Sequence, residues 1–168
     1  MKEKPIILVM YGYHRREKFA IDVGTYMEGR DLGGNVKVLK YGGKPDVREH
    51  VGFGQKPIFP NYWKFVRNQG HVDFLIDLHN GEIVKRKEKL AAFLIYGTKN
   101  PDVHRGMFGK VKDYADSLPC QVASFYEPGT PYVPAGIDQI EVELLPPRIS
   151  LQRACEFMNG LVGVLSRT

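Results

Sequence analysis

The sequence predicts a layered α/β domain with a mixed, mostly parallel sheet and helices on both faces. Strand-like runs alternate with helix-like ones along the chain. Several of the strand runs are almost continuously apolar, as strands covered on both faces are. No internal repeat, low-complexity tract or linker interrupts the 168 residues, so one domain spanning 1–168 is expected.

Composition sets outer limits. An apolar fraction of 43% with 26% charged residues is ordinary for a globular protein. The net charge of +5 comes from scattered basic residues with one dense run, KRKEK at 85–89. No nucleic-acid-binding motif accompanies that run, so it reads as a solvated turn and nucleic acid is not expected as a partner. Cys120 and Cys155 have no metal or redox spacing and read as small core residues in a reducing compartment. MKEKP leads directly into a strand without a signal peptide, and no apolar stretch reaches membrane-spanning length. A cytoplasmic protein without a membrane partner is expected.

The first element is PIILVMY at 5–11, an Ile/Leu/Val-rich run that Gly12 ends. A short helix is expected over 18–27, where Phe19, Ile21, Val23 and Met27 stand among polar residues, ending near Gly29. NVKVLKY at 35–41 alternates apolar and polar residues and reads as a strand. A long irregular Gly/Pro-rich stretch, 42–60, is the kind of loop that is usually functional. Asn61 is expected to cap the helix NYWKFVRNQ, and Gly70 to close it. Strands follow at 72–78 (VDFLIDL) and 91–96 (AAFLIY), then a helix over 100–118 and a strand at 121–126. A Pro/Gly loop at 127–136 precedes the last strand, IDQIEVELL at 137–145, and a helix over 151–165 closes the chain.

Residues at the carboxyl ends of parallel strands in an open α/β sheet stand over the crevice where ligands bind. Two of the most apolar strands end in histidine, MYGYH at His14 and IDLHN at His79. Glu17 follows His14 by three residues, so a tight turn would aim an imidazole and a carboxylate at one point. His14, Glu17 and His79 then supply three nitrogen and oxygen ligands and leave a fourth position for water, the pattern of a catalytic zinc site. Asp77 lies on the same strand face as His79 and is placed to orient its imidazole. The last strand carries Glu141 and Glu143 on one face, with Ile140, Val142 and Leu144 on the other. Burying two carboxylates together is costly without a purpose. One of them is the candidate base that deprotonates the attacking water.

His14-x-x-Glu17, a strand ending Asp77-Leu78-His79-Asn80, and a late strand with Glu143-Leu144 together resemble the zinc carboxypeptidase superfamily, nearest the branch of succinylglutamate desuccinylase and aspartoacylase. The resemblance implies one zinc ion on His14, Glu17 and His79, and it selects Glu143 over Glu141 as general base. It implies a metal-dependent hydrolase that cleaves an amide bond in a small N-acyl amino acid or a peptide, with a substrate that carries a carboxylate. The Asn-Arg pair that grips this carboxylate in the family is missing, and Arg48 is the candidate substitute. Arg15 stands where the family often has glycine. The loop tyrosine of such enzymes has two candidates, Tyr126 and Tyr132. A degenerate relative that binds without turnover, and a basic nucleic-acid-associated protein, are the alternatives. The sequence leaves the oligomeric state open.

Overall fold

The computed structural model describes residues 4–44, 60–81, 90–98, 101–116, 118–125 and 137–167. In chain order these form β1 (Ile7–Tyr11), α1 (Lys18–Glu28), β2 (Val36–Lys40), α2 (Pro60–Arg67), β3 (Phe74–Asn80), β4 (Ala92–Gly97), α3 (Pro101–Ala115), β5 (Cys120–Phe125), β6 (Asp138–Leu144) and α4 (Leu151–Leu165). All six strands pair in one sheet, in the order β2-β1-β3-β6-β4-β5. β2, β1, β3 and β6 run parallel, whereas β4 is antiparallel to β6 and leads β5 with it. The mixed, mostly parallel α/β sheet predicted from the sequence is the architecture found.

One predicted boundary is corrected. Asn61 does not cap α2, because Pro60 is already helical. Proline suits the first helical position, where its fixed φ is preorganised and its missing N–H would have had no partner.

Connectivity places the crevice. β1 passes through α1 to β2 on one side of itself, and β2 then returns through α2 to β3 on the other side. The switch point between β1 and β3 is where ligands bind in sheets of this kind. Since β1, β2, β3 and β6 are parallel, their carboxyl ends share that edge.

Side-chain alternation divides the sheet into two faces. Ile7, Val9 and Tyr11 of β1, Ile76 and Leu78 of β3, and Ile140, Val142 and Leu144 of β6 are buried against α1, α3 and α4. Leu8, Met10 and Leu75 face the other way, packing with Tyr62, Trp63 and Val66 of α2 and with Tyr41. α1 docks very closely: Gly24 lies flat against Tyr11, and an added Cβ would overlap that ring. Glycine inside a helix costs about 1 kcal/mol relative to alanine, and here the close approach requires it. The Tyr11 hydroxyl donates to Glu28 Oε2 at 2.5 Å and pins the far end of the helix. Among the described residues no helix is long and apolar enough to cross a membrane.

Candidate metal centre

β1 ends at Tyr11 and is followed by Gly12, whose φ of +77° is strained for residues with a side chain. The chain then turns tightly, with the Glu17 N–H donating to the His14 carbonyl at 3.1 Å. This turn puts an imidazole and a carboxylate beside one another at the start of α1. Glu17 occupies the N-cap position but makes no side-chain cap of its own. Asn80, at the end of β3, supplies one instead: the Ala20 N–H donates to Asn80 Oδ1 at 2.7 Å. The sheet itself thus holds the helix terminus that carries Glu17.

His79 is brought to the same place by β3 and is buried, with 7% of its surface exposed. Its Nδ1 lies 3.1 Å from Glu17 Oε2, and its ring centroid lies 5.2 Å from that of His14. Ligand atoms of His14, Glu17 and His79 all lie within 4.8 Å of one another, a group that could hold a metal ion. The other ring nitrogen, Nε2, faces Asp77 Oδ2 at 3.2 Å. That oxygen also accepts a 2.6 Å hydrogen bond from the buried Tyr62 hydroxyl of α2. Burial and the neighbouring Asp77 carboxylate raise the Tyr62 pKa well above its ordinary value, so the hydroxyl remains a donor. The other Asp77 oxygen, Oδ1, is buried with no hydrogen-bond partner among the described residues.

Electrostatics fit the same arrangement. Burial acts to lower the His79 pKa, but Asp77 and then Glu17 outweigh it and push the imidazole up to about 11. Asp77 and Glu17 flank the ring and favour its protonated form. A metal ion at Nδ1 would replace a proton there, as metal binding to histidine generally does. Two imidazole nitrogens and one carboxylate oxygen form the donor set of open zinc sites, and a carboxylate behind one imidazole fixes its tautomer.

Glu143 stands on the neighbouring strand. β6 is in register with β3 so that Glu143 pairs with His79 and Glu141 with Asp77, on the same sheet face. Burial pushes the Glu143 carboxyl up to about 7; His79 opposes the rise, while a hydrogen bond with Glu141 and the charges of Glu141 and Glu17 add to it. Gly81, just past β3, leaves room for this side chain: a Cβ there would sit 3.2 Å from Glu143 Oε2 and 2.7 Å from Leu145 Cδ2.

His14, Glu17, His79 and Asp77 thus come together at the switch point, with Glu143 on the adjoining strand. Arg48, Tyr126, Tyr132 and the 85–89 run lie outside the described residues. Tyr62 was not singled out by the sequence, and Asn80 entered only as the last residue of the motif that ends β3, with no role given to it. The only signal for Tyr62 is that a buried tyrosine hydroxyl usually finds a partner, and for Asn80 its place next to His79.

No protein-family profile matches the chain, and no curated protein does. Among solved structures, a variant of murine aminoacylase 3 is similar, with a TM-score of 0.56 and 11% identity over 98% of this chain. The match covers 65% of the aminoacylase chain, so this chain spans about two thirds of that length. The γ-secretase component nicastrin is also similar, with a TM-score of 0.50 and 12% identity over 99% of this chain and 41% of the other. At such identities the likeness is one of fold. It agrees with the carboxypeptidase-like architecture expected from the sequence.

Proposed function

We propose that this chain is a zinc-dependent hydrolase that cleaves an amide bond in a small N-acyl amino acid or a peptide. The carrying observation is the convergence of the His14, Glu17 and His79 ligand atoms within 4.8 Å at the sheet's switch point. The fold shared with an aminoacylase supports the reaction class. His14, Glu17 and His79 would hold one zinc ion. When bound, zinc polarises a scissile carbonyl and makes water a better nucleophile.

The chain's own groups do the rest. Asp77 accepts from His79 Nε2 and so leaves Nδ1 as the ligand atom. Tyr62 holds Asp77 in that orientation. Glu143 takes the proton from the attacking water and hands it to the departing nitrogen, leaving a carboxylate and an amine. Arg48 and Tyr132 keep their proposed places as substrate contacts, Arg48 toward a carboxylate and Tyr132 over the site.

Metal analysis of the purified chain should find close to one zinc-like ion, and His79→Ala should lose most of it. Undiminished metal in both His14→Ala and His79→Ala would sink the reading. Zinc without turnover of any N-acyl amino acid would make the chain a binding relative rather than an enzyme.

A further inference from the structure

Five side chains close a circuit around the metal group. Tyr13 stands edge-on to His14, with ring centroids 4.9 Å apart and ring planes at 77°. The His14 ring lies 5.2 Å from that of His79, whose Nε2 is 3.2 Å from Asp77 Oδ2. That oxygen accepts from the Tyr62 hydroxyl, and the Tyr62 ring returns to Tyr13, edge-on at 5.2 Å and 88°. Tyr13 alone is neither a candidate ligand nor part of the Tyr62–Asp77 support behind one.

The two imidazoles are held by different means. His79 has Asp77 at one ring nitrogen and Glu17 at the other. Among the described residues His14 makes no hydrogen bond, and its ring contacts are Tyr13 and His79. A metal-bound histidine is normally oriented by an acceptor at its second nitrogen. Ring packing takes that place at His14. The geometry suits it, since edge-to-face pairs are favoured at centroid separations of about 4.5–7 Å. In an extended strand adjacent side chains point to opposite sides. Tyr13 and His14 meet because the chain leaves β1 through Gly12, at φ +77°, and bends. Tyr41, just past β2, packs on Tyr13 at 5.1 Å and on Tyr62 at 5.9 Å, so Tyr13 is itself held in place.

We propose that Tyr13 is a positioning residue: its ring orients the His14 imidazole and ties it to the Tyr62–Asp77 pair behind His79. The inference rests on the metal reading for its purpose, but the contact itself is testable without metal. The aromatic ring acts here rather than the hydroxyl, so phenylalanine serves as well as tyrosine. Leucine keeps an apolar side chain but removes the ring edge. His14 is then left with His79 as its ring contact and can turn away from the other ligand atoms.

The test compares the full wild-type chain with Tyr13→Leu, Tyr13→Phe and Tyr41→Leu. NMR of metal-free chains carrying isotope-labelled histidine follows the His14 ring, assigned with His14→Gln, and the exposed His71 serves as reference. Wild type should show ring-to-ring NOEs between Tyr13 and His14. In Tyr13→Leu the His14 signals should move toward those of His71, while the remaining spectrum shows the variant folded. Its zinc affinity, read by competition with a chelator, should fall roughly three- to tenfold, the worth of one aromatic pair. Tyr13→Phe should keep both readouts at wild type. Tyr41→Leu removes aromatic packing that does not involve the His14 ring, so it should lower stability and leave both readouts unchanged. Missing NOEs, unmoved His14 signals in Tyr13→Leu, a phenylalanine variant as weak as the leucine one, or equal effects from Tyr41→Leu overturn the proposal. A wild-type chain that takes up no zinc, yet releases His14 in Tyr13→Leu, would keep the positioning and remove the zinc-hydrolase reading. Zinc uptake with equal affinity in wild type and Tyr13→Leu would do the reverse.

Discussion

The two faces of the sheet are built from alternate residues of the same strands, and they do different things. On β3 and β6, Ile76, Leu78, Ile140, Val142 and Leu144 point to one side and are completely buried under helices. Asp77, His79, Glu141 and Glu143 point to the other, where α2 contributes Tyr62. One face buries apolar area and gives stability. The other concentrates polar groups whose burial is unfavourable unless they are paired or used. Parallel strands thus let a single segment supply core and chemistry with a period of two.

The sharpest test of this division uses two adjacent residues. In Glu143→Gln, kcat toward an N-acyl amino acid should fall by about two to four orders of magnitude, while zinc content and thermal stability stay near wild type. KM should change much less, because the lost interaction belongs mainly to the transition state. Leu144→Ala, one residue on, should instead cost about 2–5 kcal/mol of unfolding free energy in a denaturant titration and leave zinc stoichiometry intact. Glu141→Gln is the control on the polar face. An essential Glu141 with a dispensable Glu143 would move the base by two residues, and full activity in both would take the base away from β6.

Much of this division was legible in the sequence, and for physical reasons. Near-continuous apolar runs identify β1 and β3 because both of their faces are covered. Strict alternation identifies β6 because only one of its faces is apolar. His14-x-x-Glu17 was legible because a turn of three residues is a local object. The strand order was not, since β6 enters between β3 and β4 by pairings far apart in sequence. Tyr62 reads as one more apolar position of α2, and only tertiary packing brings its hydroxyl to Asp77.

A smaller effect is expected behind His79. Asp77→Asn keeps the shape of the side chain but exchanges a carboxylate for a neutral amide beside Nε2. Zinc affinity should drop by about ten- to a hundredfold, the usual consequence of changing the partner of a metal-bound histidine. A competition titration against a chelator reads it. Undiminished affinity would mean that Asp77 belongs to the packing of α2 rather than to the metal group.

The smallest effect tests the one residue that crosses the division. Asn80 has the parity of Ile76 and Leu78 and so points to the apolar side, yet its Oδ1 accepts the Ala20 N–H at the start of α1. α1 packs on that side too, and its N-cap residue Glu17 reaches His79 on the other. The metal group therefore depends on a helix terminus anchored from the structural face. Removing the acceptor in Asn80→Ala should cost about 1 kcal/mol of stability, as loss of a helix cap does. If the cap also positions Glu17, zinc affinity should fall more than that general destabilisation explains, and Asn80→Asp, which keeps an acceptor, should restore part of it. Loss of stability with zinc affinity unchanged would show that the anchor serves α1 alone, and that Glu17 is held by its own turn with His14.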